Sequence, residues 1–257
     1  MSGATWLAGI NAAEQVLRGQ PARVKRVLLD ERSSNPRLAE LREMAVAASL
    51  PIETRRIFEL DRLVPDTRHQ GVVLELGGSW SLDEAALLTL VEQRLLAGDN
   101  VLLLALDQVT DPHNLGACLR SAAANGVDAL IMTRTGSAEL TPAARKVASG
   151  GAEVVPIVRV ASLAKCCEKL ARIDVRVVAA DGDADTTLYD CDMTGPLVIV
   201  LGAEHEGVSP EIARRADCTV AIPIEPVIDS LNVSVATGVL LFEARRQRSL
   251  ASPGASG

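Results

Sequence analysis

Six short runs of apolar, β-favouring residues follow one another in the second part of the chain, and helical stretches separate most of them. The runs cover residues 101–106, 129–132, 154–158, 175–180, 197–201 and 219–222. Helices are predicted at 114–125, 142–148, 163–172, 210–215 and 233–248. Strands that are apolar on both faces and alternate with helices are typical of a parallel sheet covered on both sides. The sequence therefore predicts an α/β domain over residues 99–248.

A smaller α/β unit is predicted ahead of this domain, over residues 1–76. Asn11 and Glu14 have the spacing of a capping box at the start of a helix over 12–17. The other elements expected here are strands at 24–29, 52–54 and 72–76 and a helix at 36–48. Two domains of this kind fit a chain of 257 residues.

Residues 77–98 are predicted to connect the two domains. The segment opens with Gly77, Gly78 and Ser79, and Ser81 with Glu84 has the spacing of a second capping box. An amphipathic helix is expected to follow, to about residue 97. The last segment, 249–257, is rich in Ser, Gly and Ala and is predicted to be disordered.

The distribution of charge limits how the chain can bind a polyanion. A formal net charge of −7 argues against a protein that coats nucleic acid by bulk electrostatics. Residues 1–76 nevertheless contain 11 Lys and Arg against 10 Asp and Glu, compared with 15 against 23 in the rest. A polyanion is therefore expected on the first unit, unless its cations only form a solvated face. The candidate phosphate contacts are Arg23, Lys25, Arg26, Arg55, Arg56, Arg62 and Arg68.

Composition favours a cytoplasmic protein and argues against a metal site and against extended base-stacking platforms. The five cysteines, an odd number, contain no Cys-x-x-Cys pair, which indicates reduced thiols. No apolar run reaches membrane length, and the start of the chain lacks the pattern of a signal peptide. The three histidines are scattered, so no metal site is expected. Aromatic residues make up 2% of the chain, so large base-stacking platforms are not expected.

Three polar segments follow predicted strands of the larger domain, at residues 107–114, 202–209 and 223–232. Ligands of an open parallel sheet bind beyond the carboxyl ends of its strands, so these loops are expected to form one site. The Gly-x-Gly-x-x-Gly fingerprint does not follow the first strand, and the glycines of 202–207 have the wrong spacing for it. A dinucleotide-dependent dehydrogenase is therefore excluded, and no phosphate-binding Walker motif is present either.

Motifs in these loops resemble those of a known family. DPHNLGACLRSAAANG, LVIVLGAEHEGVS and IPIEPVIDSLNVSVATGVLLFEARRQR are similar, in this order, to the three signature motifs of the SPOUT-class RNA ribose 2'-O-methyltransferases of the TrmH type. GINAAEQVL and RHQGVVLEL resemble the ribosomal-protein-like RNA-binding domain of members that methylate a guanosine of 23S ribosomal RNA. The resemblance covers the chain apart from the connector and the tail.

This resemblance implies a trefoil-knotted α/β catalytic domain that forms a homodimer and binds S-adenosylmethionine in the knot. It implies methylation of a ribose 2'-hydroxyl of ribosomal RNA. The expected catalytic residues are Asn114, Arg120, Glu204, Ser230 and Asn232, and the expected cofactor contacts are the backbone groups of Gly202, Ile222 and Leu231. Two alternatives remain open: a transfer RNA substrate, and a non-catalytic RNA-binding or ribosome-assembly factor.

Several of these residues also have a structural interpretation. Asn114, and either Ser230 or Asn232, could cap the helix that follows, since Asn and Ser are favoured N-cap residues. Arg120 could belong to a structural ion pair. Because arginine stays protonated in proteins, we expect Arg120 to hold RNA phosphate and stabilise the developing alkoxide rather than act as a base.

Two loop positions depart from the family pattern. His205 stands where a glycine is more usual, and Glu225 with Pro226 stands where relatives often have glycine. Pro226 is expected to stiffen its loop. These departures concern the conformation of the loops, and they leave the identity of Glu204 unchanged.

Overall fold

The computed structural model describes residues 5–19, 21–65, 67–77, 81–203 and 207–251. The chain divides into two compact units between residues 80 and 81, and each unit contains its own sheet. Within these ranges, no helix is long and apolar enough to cross a membrane.

The described part of the first unit contains a four-stranded sheet with three α-helices and one 3₁₀ turn. The strands are β1 (Thr5–Ala8), β2 (Val24–Asp30), β3 (Ile52–Arg55) and β4 (Val72–Leu76), in the order β1-β4-β2-β3. The helices are α1 (Ile10–Gly19), α2 (Pro36–Ala47) and α3 (Ile57–Leu63), and the turn is Pro21–Arg23. β2 and β3 are parallel, whereas β4 runs antiparallel to both of its neighbours.

The predicted capping box at the start of α1 is wrong. The helix begins at Ile10, whose N–H donates to Gln70 Oε1 at 3.3 Å, so the cap comes from a residue distant in sequence. Asn11 and Glu14 lie inside the helix and bind α2 instead. Arg37 Nη2 donates to Asn11 Oδ1 and to Glu14 Oε2, both at 2.8 Å. The spacing that resembled a local cap therefore serves a contact between two helices.

The second unit is a seven-stranded parallel sheet in its described residues. The strands are β5 (Ser81–Leu82), β6 (Leu102–Leu106), β7 (Ala129–Thr133), β8 (Ile157–Val160), β9 (Arg176–Ala180), β10 (Leu197–Leu201) and β11 (Cys218–Val220). Their order is β11-β9-β10-β6-β7-β8-β5. The helices are α4 (Glu84–Leu96), α5 (Pro112–Ala124), α6 (Pro142–Ala148), α7 (Gly151–Val154), α8 (Leu163–Ala171), α9 (Pro210–Ala213) and α10 (Val233–Ala251).

Each face of this sheet has its own apolar core. Leu102, Leu104 and Leu106 of β6 pack with α5 and α10 on one face. Leu103 and Ala105 of the same strand pack with α4 and α8 on the other. Successive side chains of a strand point to opposite faces, so a strand buried on both faces must be apolar throughout. This explains the continuous apolar runs and confirms the predicted α/β class.

The segment predicted as a connector belongs to the second unit from residue 81 onward. β5 pairs in parallel with β8 at the edge of the sheet, and α4 buries its apolar face in the core. Asp83 caps α4, since its side chain accepts from Ala86 N at 2.8 Å. The predicted capping box of Ser81 with Glu84 is therefore wrong. Gly78 and Ser79, which suggested the boundary, lie outside the described residues.

Two further boundaries differ from the prediction. The strand expected at 154–158 begins at Ile157, because α7 forms immediately before it and packs against α5. A Cβ on Gly151 would lie 2.6 Å from the carbonyl oxygen of Leu119, so only glycine lets α7 approach this closely. The tail predicted as disordered over 249–257 is helical through Ala251, and its remainder lies outside the described residues.

Candidate active site

A cavity of about 230 Å³ lies at the carboxyl ends of β9, β10 and β11. Its wall is largely apolar and includes Leu201, Val220, Ile222, Val233 and Ala236. Polar side chains at the cavity include Asp181, after β9, and Ser230, before α10. The loop after β9 was not among the three predicted site loops, because none of the recognised motifs includes it. A concave, mainly apolar surface with a few polar groups is typical of a small-molecule site.

All three residues predicted as cofactor contacts line this cavity. Gly202 follows β10, Ile222 follows β11, and Leu231 precedes α10. In the part of the chain that the structure describes, their main-chain N–H and carbonyl groups make no backbone hydrogen bond. Main-chain polar groups that the fold leaves unpaired must bind water or a ligand. The cavity therefore offers backbone donors and acceptors beside an apolar wall.

Gly202 is required by the path of its own loop. A Cβ at this position would lie 1.7 Å from the carbonyl oxygen of Gly207, and Gly207 N–H donates to Ala203 O at 2.9 Å. The loop thus folds back across Gly202. The space that a side chain at this position would need is thus taken by the backbone of the same loop. Glu204, the predicted catalytic carboxylate, and His205 lie outside the described residues.

Asp107 holds the loop after β10 in place. Its side chain follows β6 and is 5% exposed, and its Oδ2 accepts from Ser209 N at 2.9 Å. Its own N–H donates to Leu201 O at 2.8 Å. Asp107 therefore joins the ends of β6 and β10 through its main chain, and its buried carboxylate anchors the loop that follows β10. The sequence signal for this role is a carboxylate directly after a wholly apolar strand.

Asn114 and Asn232 meet at the site, although 118 positions separate them. Asn232 Nδ2 donates to Asn114 Oδ1 at 3.0 Å. The other end of the Asn232 amide caps α10, because its Oδ1 accepts from Ser234 N at 2.9 Å and from Ser234 Oγ at 2.5 Å. With two donors on Oδ1, the Nδ2 end of Asn232 is directed at Asn114. Asn232 lies between Leu231 and Val233, which both line the cavity.

The structure decides between the capping interpretations. Asp111 caps α5 by accepting from His113 N at 2.9 Å, so Asn114 is not the N-cap of that helix. Asn232 is the cap of α10, and Ser230 lines the cavity instead. A role of Asn114 in capping is therefore excluded, whereas Asn232 combines a cap with a contact across the site.

Arg120 lies on α5, six residues after Asn114, and is exposed. It does not line the cavity, so the structure does not bring it together with the predicted cofactor contacts. With the described residues it forms no ion pair. The backbone around it is tightly held. A Cβ on Gly116 would lie 2.4 Å from the carbonyl oxygen of Ala144, so α5 and α6 are in direct backbone contact.

In the first unit, carboxylates bind several of the candidate phosphate contacts. Arg26 forms ion pairs with Glu53 at 3.0 Å and with Glu75 at 2.5 Å. The hydrogen bond from Arg26 lowers the pKa of Glu53. Lys25 shares Glu75, and Arg55 shares Glu53. The basic character expected for this unit is therefore largely neutralised on its sheet.

Two family models together match most of the chain. Residues 101–242 match the model of the SpoU rRNA Methylase family. The chain belongs to this family. Residues 6–78 match a second model, described as RNA 2'-O ribose methyltransferase substrate binding. The SpoU match contains every residue of the predicted site.

Similar proteins share nearly the whole length of this SpoU family member. The 23S rRNA (guanosine-2'-O-)-methyltransferase RlmB of Pseudomonas aeruginosa is 46% identical, over 93% of this chain and 95% of that protein. The protein of the same name from Yersinia pestis is 44% identical, over 94% and 97%.

Solved structures of SpoU proteins have the same fold. The SpoU methyltransferase AviRb from Streptomyces viridochromogenes superposes with a TM-score of 0.62 at 24% identity, over 97% of this chain and 91% of that chain. The TrmH/SpoU tRNA modifying enzyme of A. aeolicus superposes with a TM-score of 0.55 at 30% identity, over 63% and 86%. The resemblance predicted from the motifs is confirmed.

Proposed function

We propose that this SpoU family member uses S-adenosylmethionine to methylate the ribose 2'-hydroxyl of a guanosine in 23S ribosomal RNA. The relatives of that name, aligned over almost the whole chain, support this substrate. The structural observation that carries the proposal is the cavity at the carboxyl ends of the strands. It combines the expected cofactor contacts with the neighbouring Asn114–Asn232 pair.

The residues of the cavity fit S-adenosylmethionine. An apolar wall suits the adenine ring, and the unpaired backbone groups of Gly202, Ile222 and Leu231 suit its hydrogen-bonding edge. Asp181 and Asp229, also at the cavity, complement the positive ammonium and sulfonium groups. When bound, the cofactor supplies an electrophilic methyl group.

The chain's own residues must orient the ribose and favour loss of the 2'-hydroxyl proton. We assign orientation to the amide pair of Asn114 and Asn232, whose geometry the cap of α10 fixes. Ser230 supplies a polar contact within the cavity. Arg120 holds an RNA phosphate and stabilises the developing alkoxide. The role of Glu204 rests on the family motif alone.

The proposal includes a homodimer and a cytoplasmic location. Val235 and Phe242 are 52% and 56% exposed and lie seven residues apart on α10, so they share one face of the helix. A second copy of the chain would cover this apolar face. Phe242→Glu is expected to convert a dimer to a monomer in analytical ultracentrifugation, and a monomeric wild type would contradict the dimer.

Transfer of labelled methyl groups to unmodified 23S ribosomal RNA tests the activity. Wild type is expected to label one guanosine ribose, and Arg120→Ala to lose at least a hundredfold in rate, the scale of one lost transition-state donor. Arg172→Ala, an exposed arginine paired with Glu168 on α8, is the matched control. Labelling of transfer RNA but not of ribosomal RNA would make transfer RNA the substrate. Labelling of neither RNA would favour a non-catalytic RNA-binding factor.

A further inference from the structure

Helix α3 carries an exposed aromatic ring in a chain that has only two phenylalanines, two tryptophans and one tyrosine. Phe58 is 47% exposed and its neighbour Ile57 is 56% exposed. The core of the first unit does not use the Phe58 ring. α3 packs through Leu60, which is buried in one cluster with Leu28 of β2 and Val73 of β4. The exposed side of α3 therefore has two large apolar side chains, Ile57 and Phe58, that the core of the unit does not need.

Arginines occur in α3 and in the segments on either side of it. Arg62, one helical turn after Phe58, places its guanidinium carbon 5.8 Å from the centre of the ring. Arg56 precedes the helix, and its side chain is 63% exposed. Arg68 is also exposed, and its neighbour His69 holds this part of the backbone beside α3 by a bond of 3.0 Å from Nε2 to Asp61 Oδ1. An apolar patch rimmed by polar groups is typical of an interaction site.

The carboxylates of α3 have partners other than Arg62. Glu59 Oε2 accepts from the main-chain N–H of Arg56 at 2.9 Å, and Asp61 binds His69. Among the described residues, Arg62 and Arg68 form no ion pair. This differs from the sheet of the same unit, where Arg26 is held by two carboxylates. Arg56 pairs with Glu31, at 3.5 Å between Nε and Oε1. Arg62 and Arg68 are therefore the two guanidinium groups here that no carboxylate of the described residues holds.

We propose that Phe58 and Arg62 form a binding site for one unpaired nucleotide of RNA, with Arg56 and Arg68 at its edge. The base stacks on the ring of Phe58, and the arginines contact the adjoining phosphates. Stacking on an aromatic ring tolerates any base, and specific RNA recognition favours unstacked bases in loops and bulges. The scarcity of aromatic residues excludes an extended stacking platform, but one ring is enough for one base. The inference rests on the proposed RNA substrate.

The test measures binding of the full-length protein to two RNA probes, without cofactor. The probes are an unmodified transcript of 23S ribosomal RNA and a perfectly paired RNA duplex. Phe58→Leu keeps an apolar side chain but removes the ring, and it is expected to weaken binding of the transcript about tenfold and that of the duplex by less than twofold. Phe58→Trp is expected to retain affinity, and its added fluorescence should be quenched at saturating transcript. Val46→Ala, on the exposed side of α2, is the matched control.

Equal affinity of wild type and Phe58→Leu for the transcript would overturn the nucleotide site, as would unchanged tryptophan emission in Phe58→Trp. An equal loss for transcript and duplex would also overturn it, because it would indicate a general loss of charge contacts or of fold. The outcome is independent of the methyl-transfer assay. Selective weakening by Phe58→Leu in a protein that transfers no methyl group would retain the nucleotide site and reject the proposed activity.

Discussion

Arg248, near the end of α10, provides the sharpest test of how the second unit is held together. Its guanidinium donates to four main-chain carbonyls at the amino ends of β6 and β10: Met193 at 3.1 Å, Asn100 at 3.3 Å, Val101 at 3.0 Å and Gly195 at 2.6 Å. No local sequence pattern predicts this arrangement. Replacing Arg248 by alanine removes all four hydrogen bonds at once and leaves the carbonyls to water.

The expected loss of stability follows from these contacts. A hydrogen bond to a charged group contributes about 1.5–3 kcal/mol, but the four share one side chain and are not additive. Burial lowers the pKa of Arg248, so desolvation of the guanidinium offsets part of the gain. We therefore expect Arg248→Ala to reduce the free energy of unfolding by about 3 kcal/mol, and the melting temperature by roughly 6–12 °C.

Urea unfolding followed by circular dichroism measures this effect. Arg245→Ala is the matched control, since this exposed arginine on the same helix donates to one carbonyl, that of Ala124 at 2.6 Å. Because solvent screens this exposed guanidinium, its loss is expected to cost less than about 1 kcal/mol. Arg248→Lys keeps the charge but lacks the planar fork, so it should be intermediate. If Arg248→Ala were no more destabilising than Arg245→Ala, the guanidinium would not be what holds α10 to the sheet.

Three further outcomes are expected. Ser234→Ala removes one of the two donors that fix the Asn232 amide, so kcat should fall while the affinity for S-adenosylmethionine stays unchanged. Ser234→Thr should restore kcat. A normal kcat in Ser234→Ala would exclude this positioning role. Gly116→Ala places a Cβ against the α6 backbone and should reduce the free energy of unfolding by about 2–3 kcal/mol. Gly238→Ala has space for its Cβ and should raise the free energy of unfolding by about 0.5–1 kcal/mol. Equal effects of the two substitutions would contradict the close contact between α5 and α6. Burial raises the pKa of four thiols above the ordinary value of 9.0: that of Cys118 to about 11, and those of Cys166, Cys167 and Cys191 to about 12. The folded state therefore keeps these protons longer than the unfolded state, and stability that is fully present below pH 9 should fall as pH rises toward 12. Urea midpoints that stay level between pH 8 and pH 10.5 would refute this.

The central part of the fold could be predicted because burial on both faces leaves a strong signal. β6 and β10 are apolar at every position, and the structure has both strands within one residue of the predicted bounds. The short elements gave no comparable signal. β5 has two residues and α7 has four, so neither is long enough to show a period. Their positions depend on contacts with β8 and α5 that are remote in sequence.

The candidate site likewise has some features that the sequence motifs predict and others that only the folded structure shows. The motifs identified Gly202, Ile222 and Leu231, and the structure gathers all three around one cavity. They did not indicate the loop after β9, because its contribution comes from the order of strands in the sheet rather than from a local pattern. They also did not indicate why position 202 must be glycine, since the steric conflict with Gly207 is visible only once the loop has folded.

The double use of the Asn232 amide has a consequence for the maturation of the protein. One side chain both caps α10 and reaches Asn114 on α5, so the two asparagines meet only after α10 has been synthesised and has docked. A nascent chain that stops short of α10 would contain most of the sheet and yet lack an assembled pair. A chain that lacks α10 is therefore expected to be inactive in methyl transfer.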